Sequence, residues 1–118
     1  LARQFDDALR PFDLTNGQFS LLMSLNRPTP PPMGPVADLL GMDRTTLTAA
    51  LKPLQRRGLV KVSPDSSDRR SRVLQLTHNG RLLLAHAFPV WKNTHHQIEK
   101  LLPNGAANEI RQTLKALA

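Results

Sequence analysis

Apolar residues recur at Leu1, Phe5, Ala8, Leu9 and Phe12, a spacing that places them on one face of a helix, and Pro11 with Asp13 marks its end. Thr15 and Gln18 then form a T-x-x-Q capping box. Leu14 and Phe19 flank it at the positions of a hydrophobic staple, which predicts a second helix running to about Asn26. Pro28, Pro30, Pro31, Pro32 and Pro35 follow within eight residues, too dense for a helix or a central strand, so this stretch reads as a stiff extended loop. Gly34 and Pro35 suit the N-cap and first turn of a short third helix. Its apolar face is Val36, Leu39 and Leu40, and Gly41 suits its C-terminal cap.

After only Gly41 and Met42, Asp43 can cap a fourth helix, with Met42 and Leu47 again placed as a staple. Leu47, Ala50, Leu51 and Leu54 form its inner face, and Gly58 supplies a left-handed stop after Arg57. Two helices across a tight turn that contains glycine make a helix-turn-helix pattern. Pro53 removes one backbone hydrogen bond and should bend the last turn. Leu59 to Val62 and Arg72 to Leu76 read as two strands of a hairpin with a long polar, basic tip over residues 63–71. Thr77 caps a long fifth helix with apolar positions Leu83, Ala87, Val90, Trp91, Ile98 and Leu101, and Pro89 should kink it. From Asn104 a last helix repeats Ala107, Ile110, Leu114 and Leu117 in steps of three, four and three, a seam suited to packing on another helix. The expected fold is mainly α with a small β-hairpin wing (α+β).

At 118 residues the chain suits one domain with a single core. No apolar run approaches the ~18 residues of a membrane span, so no membrane partner is expected. Cysteine is absent, which removes disulfides, thiolate metal sites and cysteine redox sensing, and fits a cytoplasmic location. The first residue is Leu1 and the opening reads as mid-helix, so an N-terminal extension is expected in the natural protein.

Charge sharpens the picture. The formal net charge of +7 divides into −1 over residues 1–40, +5 over 43–72 and +3 over 73–118. Thirty residues around the helix-turn-helix and hairpin thus hold most of the excess, a field that attracts polyanions. On the fourth helix, Arg44, Thr45, Thr48, Ala49 and Lys52 occupy the outer positions that would face a major groove. There, arginine can bond guanine and the threonines can meet phosphate, base or thymine methyl. Thr46, at the third helical position, can serve either the cap or a phosphate. A structural turn has no use for Arg69, Arg70 and Arg72 together, so the hairpin tip reads as a minor-groove and phosphate contact, with Asp68 bonding a nearby arginine to fix its shape.

No two of His78, His86, His95 and His96 stand four apart, and His95 with His96 reads as a solvated helix face or a pH-sensitive interface. Neither an enzyme, a metal site nor a cofactor is expected. The rival to DNA binding is a winged helix used for protein or RNA contacts. Arginines at both wing and helix favour duplex DNA over it.

The stretches LTNGQFSLLMSL, VADLLGMDRTTLTAALKPLQRRGLV and DSSDRRSRVLQLTHNGRLLL, in this order, resemble the multiple-antibiotic-resistance-regulator (MarR) family of bacterial winged-helix transcription factors. The resemblance covers nearly the whole chain. It implies a winged helix-turn-helix lobe over residues 33–77, with helices over 1–26 and 78–118 for core and dimerisation. It also implies a homodimer on a pseudo-palindromic operator, and for Asp68 and Arg70 the roles of tip ordering and minor-groove contact. Ala49 departs from the pattern, since many relatives carry arginine there. Relatives often bind small aromatic or phenolic effectors between the dimerisation helices and the DNA-binding lobe. Phe5, Phe12, Phe19, Met23 and Trp91 are the candidates to line such a site here, although aromatics more often simply fill cores.

Overall fold

The computed structural model of the chain describes residues 2–68 and 70–101; Leu1, Arg69 and the expected last helix from Asn104 lie outside the described residues. Helix α1 (Ala2–Leu9) passes into a 3-10 turn (Arg10–Phe12) that ends at Asp13, which adopts the left-handed conformation with φ 55°. Aspartate tolerates that region better than most residues. The turn is closed by bonds from the N–H groups of Asp13 and Leu14 to the carbonyls of Arg10 (2.9 Å) and Leu9 (3.4 Å). Both halves of the expected capping box then start α2 (Asn16–Ser24). The Gln18 N–H donates to Thr15 Oγ1 (3.1 Å), and the Thr15 N–H to Gln18 Oε1 (3.0 Å). Leu14 and Phe19, the staple pair, are both buried.

The proline stretch does more than connect. Pro31 is buried and its carbonyl accepts the N–H of Leu74 (2.9 Å), and Pro32 forms a single β-bridge with Val73. Lacking N–H groups, prolines can only accept, so they suit the edge of a sheet and not its middle. Helix α3 (Met33–Leu40) starts with Pro32 at the N-cap, ahead of the Gly34 cap expected from sequence. Pro35 is tolerated in its first turn, where backbone N–H groups have no intrahelical partner. Gly41 (φ 68°) and Gly58 (φ 71°) end α3 and α4 (Arg44–Arg56) in the same way. At each, the following N–H reaches back to a carbonyl in the last turn, Met42 to Ala37 (2.9 Å) and Leu59 to Leu54 (3.0 Å). Leu47, Leu51 and Leu54 are the buried face of α4, and the helix continues three residues past Pro53.

Strands β1 (Val60–Pro64) and β2 (Arg72–Leu76) pair antiparallel, with Val60 opposite Leu76 and Val62 opposite Leu74. Thr77 then caps α5 (His78–Leu101): its hydroxyl accepts from the Gly80 N–H (3.0 Å) and donates to the Gly58 carbonyl (2.5 Å). Gly80 is required here, because a Cβ at this position would stand 2.1 Å from the Leu59 carbonyl oxygen. Despite Pro89, α5 is one continuous helix.

The inner face of α5 differs from the sequence expectation. Leu84, Ala87, Trp91, His95 and Ile98 are buried, whereas Val90 is 37% and Leu101 79% exposed and Leu83 only partly buried. Val90 and Trp91 are adjacent and point about 100° apart on a helix, so both cannot be central to one stripe. The stripe follows Trp91, whose ring stacks on Phe5 of α1 and Phe19 of α2. One core joins α1, α2 and α5 to the α3–α4 pair and the hairpin, with β1 packed on α4 and β2 on α3 and the long helix. Mostly helical with a two-stranded hairpin, this is the expected winged-helix class. Among the described residues no helix is long and apolar enough to cross a membrane.

Candidate nucleic-acid interface

Residues Gly41 to Asp43 turn the chain between α3 and α4. The Asp43 carboxylate accepts the Thr46 N–H (2.7 Å), completing the expected cap. Bonds from the Thr46 backbone and hydroxyl, with a smaller contribution from the Thr45 N–H, hold the Asp43 carboxyl below the usual aspartate range. Thr46 therefore serves the cap, one of the two roles open to it from sequence.

Burying Leu47, Leu51 and Leu54 leaves Arg44, Thr45, Thr48, Ala49 and Lys52 exposed on the opposite side of α4. The Thr48 hydroxyl donates to the Arg44 carbonyl (2.7 Å), which fixes its rotamer and keeps its oxygen available as an acceptor. The Arg44 guanidinium lies over the start of α3, where a Cβ on Gly34 would stand 3.1 Å from Nη2. At the other end of α4, Arg57 donates to the carbonyls of Asp13 (2.7 Å) and Phe12 (3.1 Å). Arg57 is thus a brace between α4 and the α1–α2 corner. In the sequence it was one cation among several, with no local signal to separate it.

The wing tip is organised by two aspartates. Asp65 accepts from the Ser67 N–H (3.0 Å) and hydroxyl (2.9 Å), which lower its pKa in that order. Asp68 accepts the backbone N–H of Arg70 (3.0 Å), and its carbonyl accepts from Ser71 (3.0 Å). The expected bond from Asp68 to a neighbouring arginine is present, but it is made to the main chain. Among the described residues no ion pair joins Asp68 to a guanidinium. Arg70 and Arg72 are exposed, as is Lys61 on β1. The hairpin and the outer face of α4 are thus two polar, basic surfaces fixed by one core.

The effector candidates separate. Phe5, Phe19 and Trp91 stack with ring centroids 5.5 and 5.2 Å apart in the core, and Phe12 packs against it. Met23 alone of the five lines a cavity of about 390 Å³ between α2 and α5, with Asn26, Arg81, Leu84, Ala85 and Phe88. Phe88 also stacks on Trp91 at 6.3 Å, so core and cavity share a wall. His96 is exposed, but His95 is buried against Trp91, which corrects the solvated-face expectation for this residue.

The MarR family model matches residues 14–71, from the start of α2 to the wing tip. The transcriptional activatory protein BadR of Rhodopseudomonas palustris is 39% identical over 71 residues, 58% of this chain and 41% of BadR. The chain thus spans about two fifths of BadR's length. Among solved structures, the M. tuberculosis transcriptional regulator MOSR in complex with DNA is 34% identical, with TM-score 0.79 over 98% of this chain and 85% of that one. The repressor CouR bound to a 23-mer DNA duplex is 31% identical, with TM-score 0.82 over 98% and 82%. The chain belongs to the MarR family. CouR from Rhodococcus jostii RHA1 is also known bound to p-coumaroyl-CoA, in a structure 26% identical with TM-score 0.79 over the same shares. In this MarR-family chain, the matched segment contains the whole helix-turn-helix and the wing aspartates, but not the cavity wall on α5.

Proposed function

We propose that the chain is a sequence-specific, double-stranded DNA-binding transcriptional regulator that acts as a homodimer on a pseudo-palindromic operator. The observation that carries this reading is the outer face of α4, with Arg44, Thr45, Thr48, Ala49 and Lys52 exposed together and the opposite face locked into the core. An α-helix so presented fits the major groove, and a basic hairpin beside it fits the flanking minor groove and phosphates. Arg44, Thr45, Thr48 and Lys52 read or grip the major groove, while Arg69, Arg70 and Arg72 hold the backbone and minor groove. Asp68 shapes the loop that presents them. The DNA complexes of MOSR and CouR support the assignment.

The regulator acts as a repressor released by a small aromatic or phenolic effector. The α2–α5 cavity suits such a molecule, with Met23, Leu84, Ala85 and Phe88 for a ring and Arg81 with Asn26 for a phenolate or carboxylate. Titrating labelled duplex from upstream of the encoding gene, against a scrambled duplex and at several salt concentrations, tests the DNA assignment. A clear preference for the upstream sequence is expected; equal affinity for both rejects sequence-specific binding. Release of the duplex by a phenolic acid, lost in Arg81→Ala, is the corresponding expectation for the cavity.

A further inference from the structure

Away from the DNA-facing surface and the α2–α5 cavity, three side chains of α5 bring metal-ligating atoms together: His95, His96 and Glu99. Helical geometry stacks residues three and four apart on one flank, so each imidazole has an ordinary chelating relation to the carboxylate one turn on. Nδ1 of His95 and Nδ1 of His96 each lie 3.9 Å from Glu99 Oε2, and the three donor atoms fall within 4.8 Å of one another. A tetrahedral zinc ion with bonds of about 2.1 Å holds its ligand atoms roughly 3.4 Å apart. The two His–Glu separations exceed that spacing by about 0.5 Å.

The surroundings favour a defined site over a loose pair of surface histidines. The His95 side chain is 6% and that of Glu99 16% exposed, whereas that of His96 is 57% exposed. Two donors are thus set into the protein wall and the third opens to solvent, which gives an ion a way in. The His95 ring lies nearly parallel to Trp91 (12°, 5.7 Å), and Trp91 is itself packed on Phe5 and Phe19. Packing therefore pre-orients one ligand, and less order has to be imposed when the ion binds. Among the described residues no other group of three histidine or acidic side chains gathers in this way.

We propose that His95, His96 and Glu99 form a binding site for a borderline divalent cation, with zinc as the fitting ion and water in the fourth position. Two imidazoles and one carboxylate suit zinc, cobalt or nickel, and offer too few hard oxygens for calcium or magnesium. The ion joins residues within one turn of α5, directly beside the Trp91 stack that couples this helix to α1 and α2.

Trp91 is the only tryptophan in the chain, so its fluorescence reports the site directly. The tag-free chain is titrated with zinc chloride, and with cobalt chloride while visible absorption is followed. Saturable binding of one ion per chain is expected, with His96→Ala and Glu99→Gln each weakening it by at least about tenfold, since loss of even an outer-shell partner can cost that much. His96 is exposed, so His96→Ala should leave the metal-free circular dichroism and melting temperature unchanged. His86→Ala, another exposed histidine of α5, should bind zinc like the unsubstituted chain. The proposal is overturned by non-saturable binding, by unchanged affinity in His96→Ala and Glu99→Gln, or by equal losses in His86→Ala and His96→Ala.

Discussion

Two glycines at first sight alike separate sharply once their surroundings are known. Gly80 stands under the Leu59 carbonyl, so Gly80→Ala must displace backbone from backbone, and overpacking of that kind outweighs the ~1 kcal/mol gain in helix propensity. A net loss of at least ~2 kcal/mol is expected in urea unfolding. Gly17, in the first turn of α2, has only Thr15 Oγ1 near its missing Cβ, at 3.9 Å. Gly17→Ala is expected to be neutral or to stabilise by roughly 0.4 kcal/mol. Equal effects at the two positions would contradict the close approach of α5 to the start of β1. Residues whose partners are local were legible in the sequence: Thr15 with Gln18, Asp43 with Thr46, Thr77 with Gly80. Gly80 as a packing site and Arg57 as a brace were not, because the Leu59, Asp13 and Phe12 carbonyls that define their roles come from other elements.

Elements were legible where caps bound them and ambiguous where only periodicity did. Asp43, Gly41 and Gly58 marked three of the four ends of the helix-turn-helix, the start of α3 at Pro32 being the exception, whereas the inner stripe of α5 depended on which ring the α1 and α2 aromatics would meet. The α4 cap also carries a pH dependence. Its hydrogen bonds depress the Asp43 pKa in the folded chain, so the stability it contributes is present above the unfolded aspartate value, near 4, and is lost as pH falls through the lower folded value. Asp43→Asn keeps a capping oxygen but cannot be protonated, so its melting temperature should fall less steeply between about pH 5 and pH 2. Asp65, also depressed, titrates in both proteins and cancels in the comparison. Parallel pH profiles would remove Asp43 from the acid response. For the wing, Asp68 acts through the Arg70 main chain, which an amide oxygen can also accept. Asp68→Asn should therefore keep operator affinity, whereas Asp68→Ala should weaken it about fivefold, the equivalent of ~1 kcal/mol for one lost hydrogen bond. If both variants weaken binding alike, the aspartate acts through its charge and not through the turn.

At the scale of the molecule, the clustering of charge over residues 43–72 and the proposed two-fold assembly together make a quantitative demand. Each phosphate neutralised by a cation releases counterions, and the slope of log affinity against log salt changes by about 0.9 for each such contact. In a homodimer every substitution is made twice. Arg70→Ala should weaken operator binding by at least ~1 kcal/mol, and if both wings engage phosphate it should flatten the salt slope by about 1.8. A monomer on a single half-site would lose only about 0.9. Arg57→Ala is the useful contrast. Its guanidinium is committed to the Asp13 and Phe12 carbonyls, so it should lower stability and leave the salt slope where it was. Anisotropy titrations of labelled operator over a range of potassium chloride concentrations measure both slopes. An unchanged slope for Arg70→Ala would exclude the wing from the phosphate contacts. A loss near one unit would leave DNA binding intact but match a monomer on a single half-site, and would reject the homodimer reading.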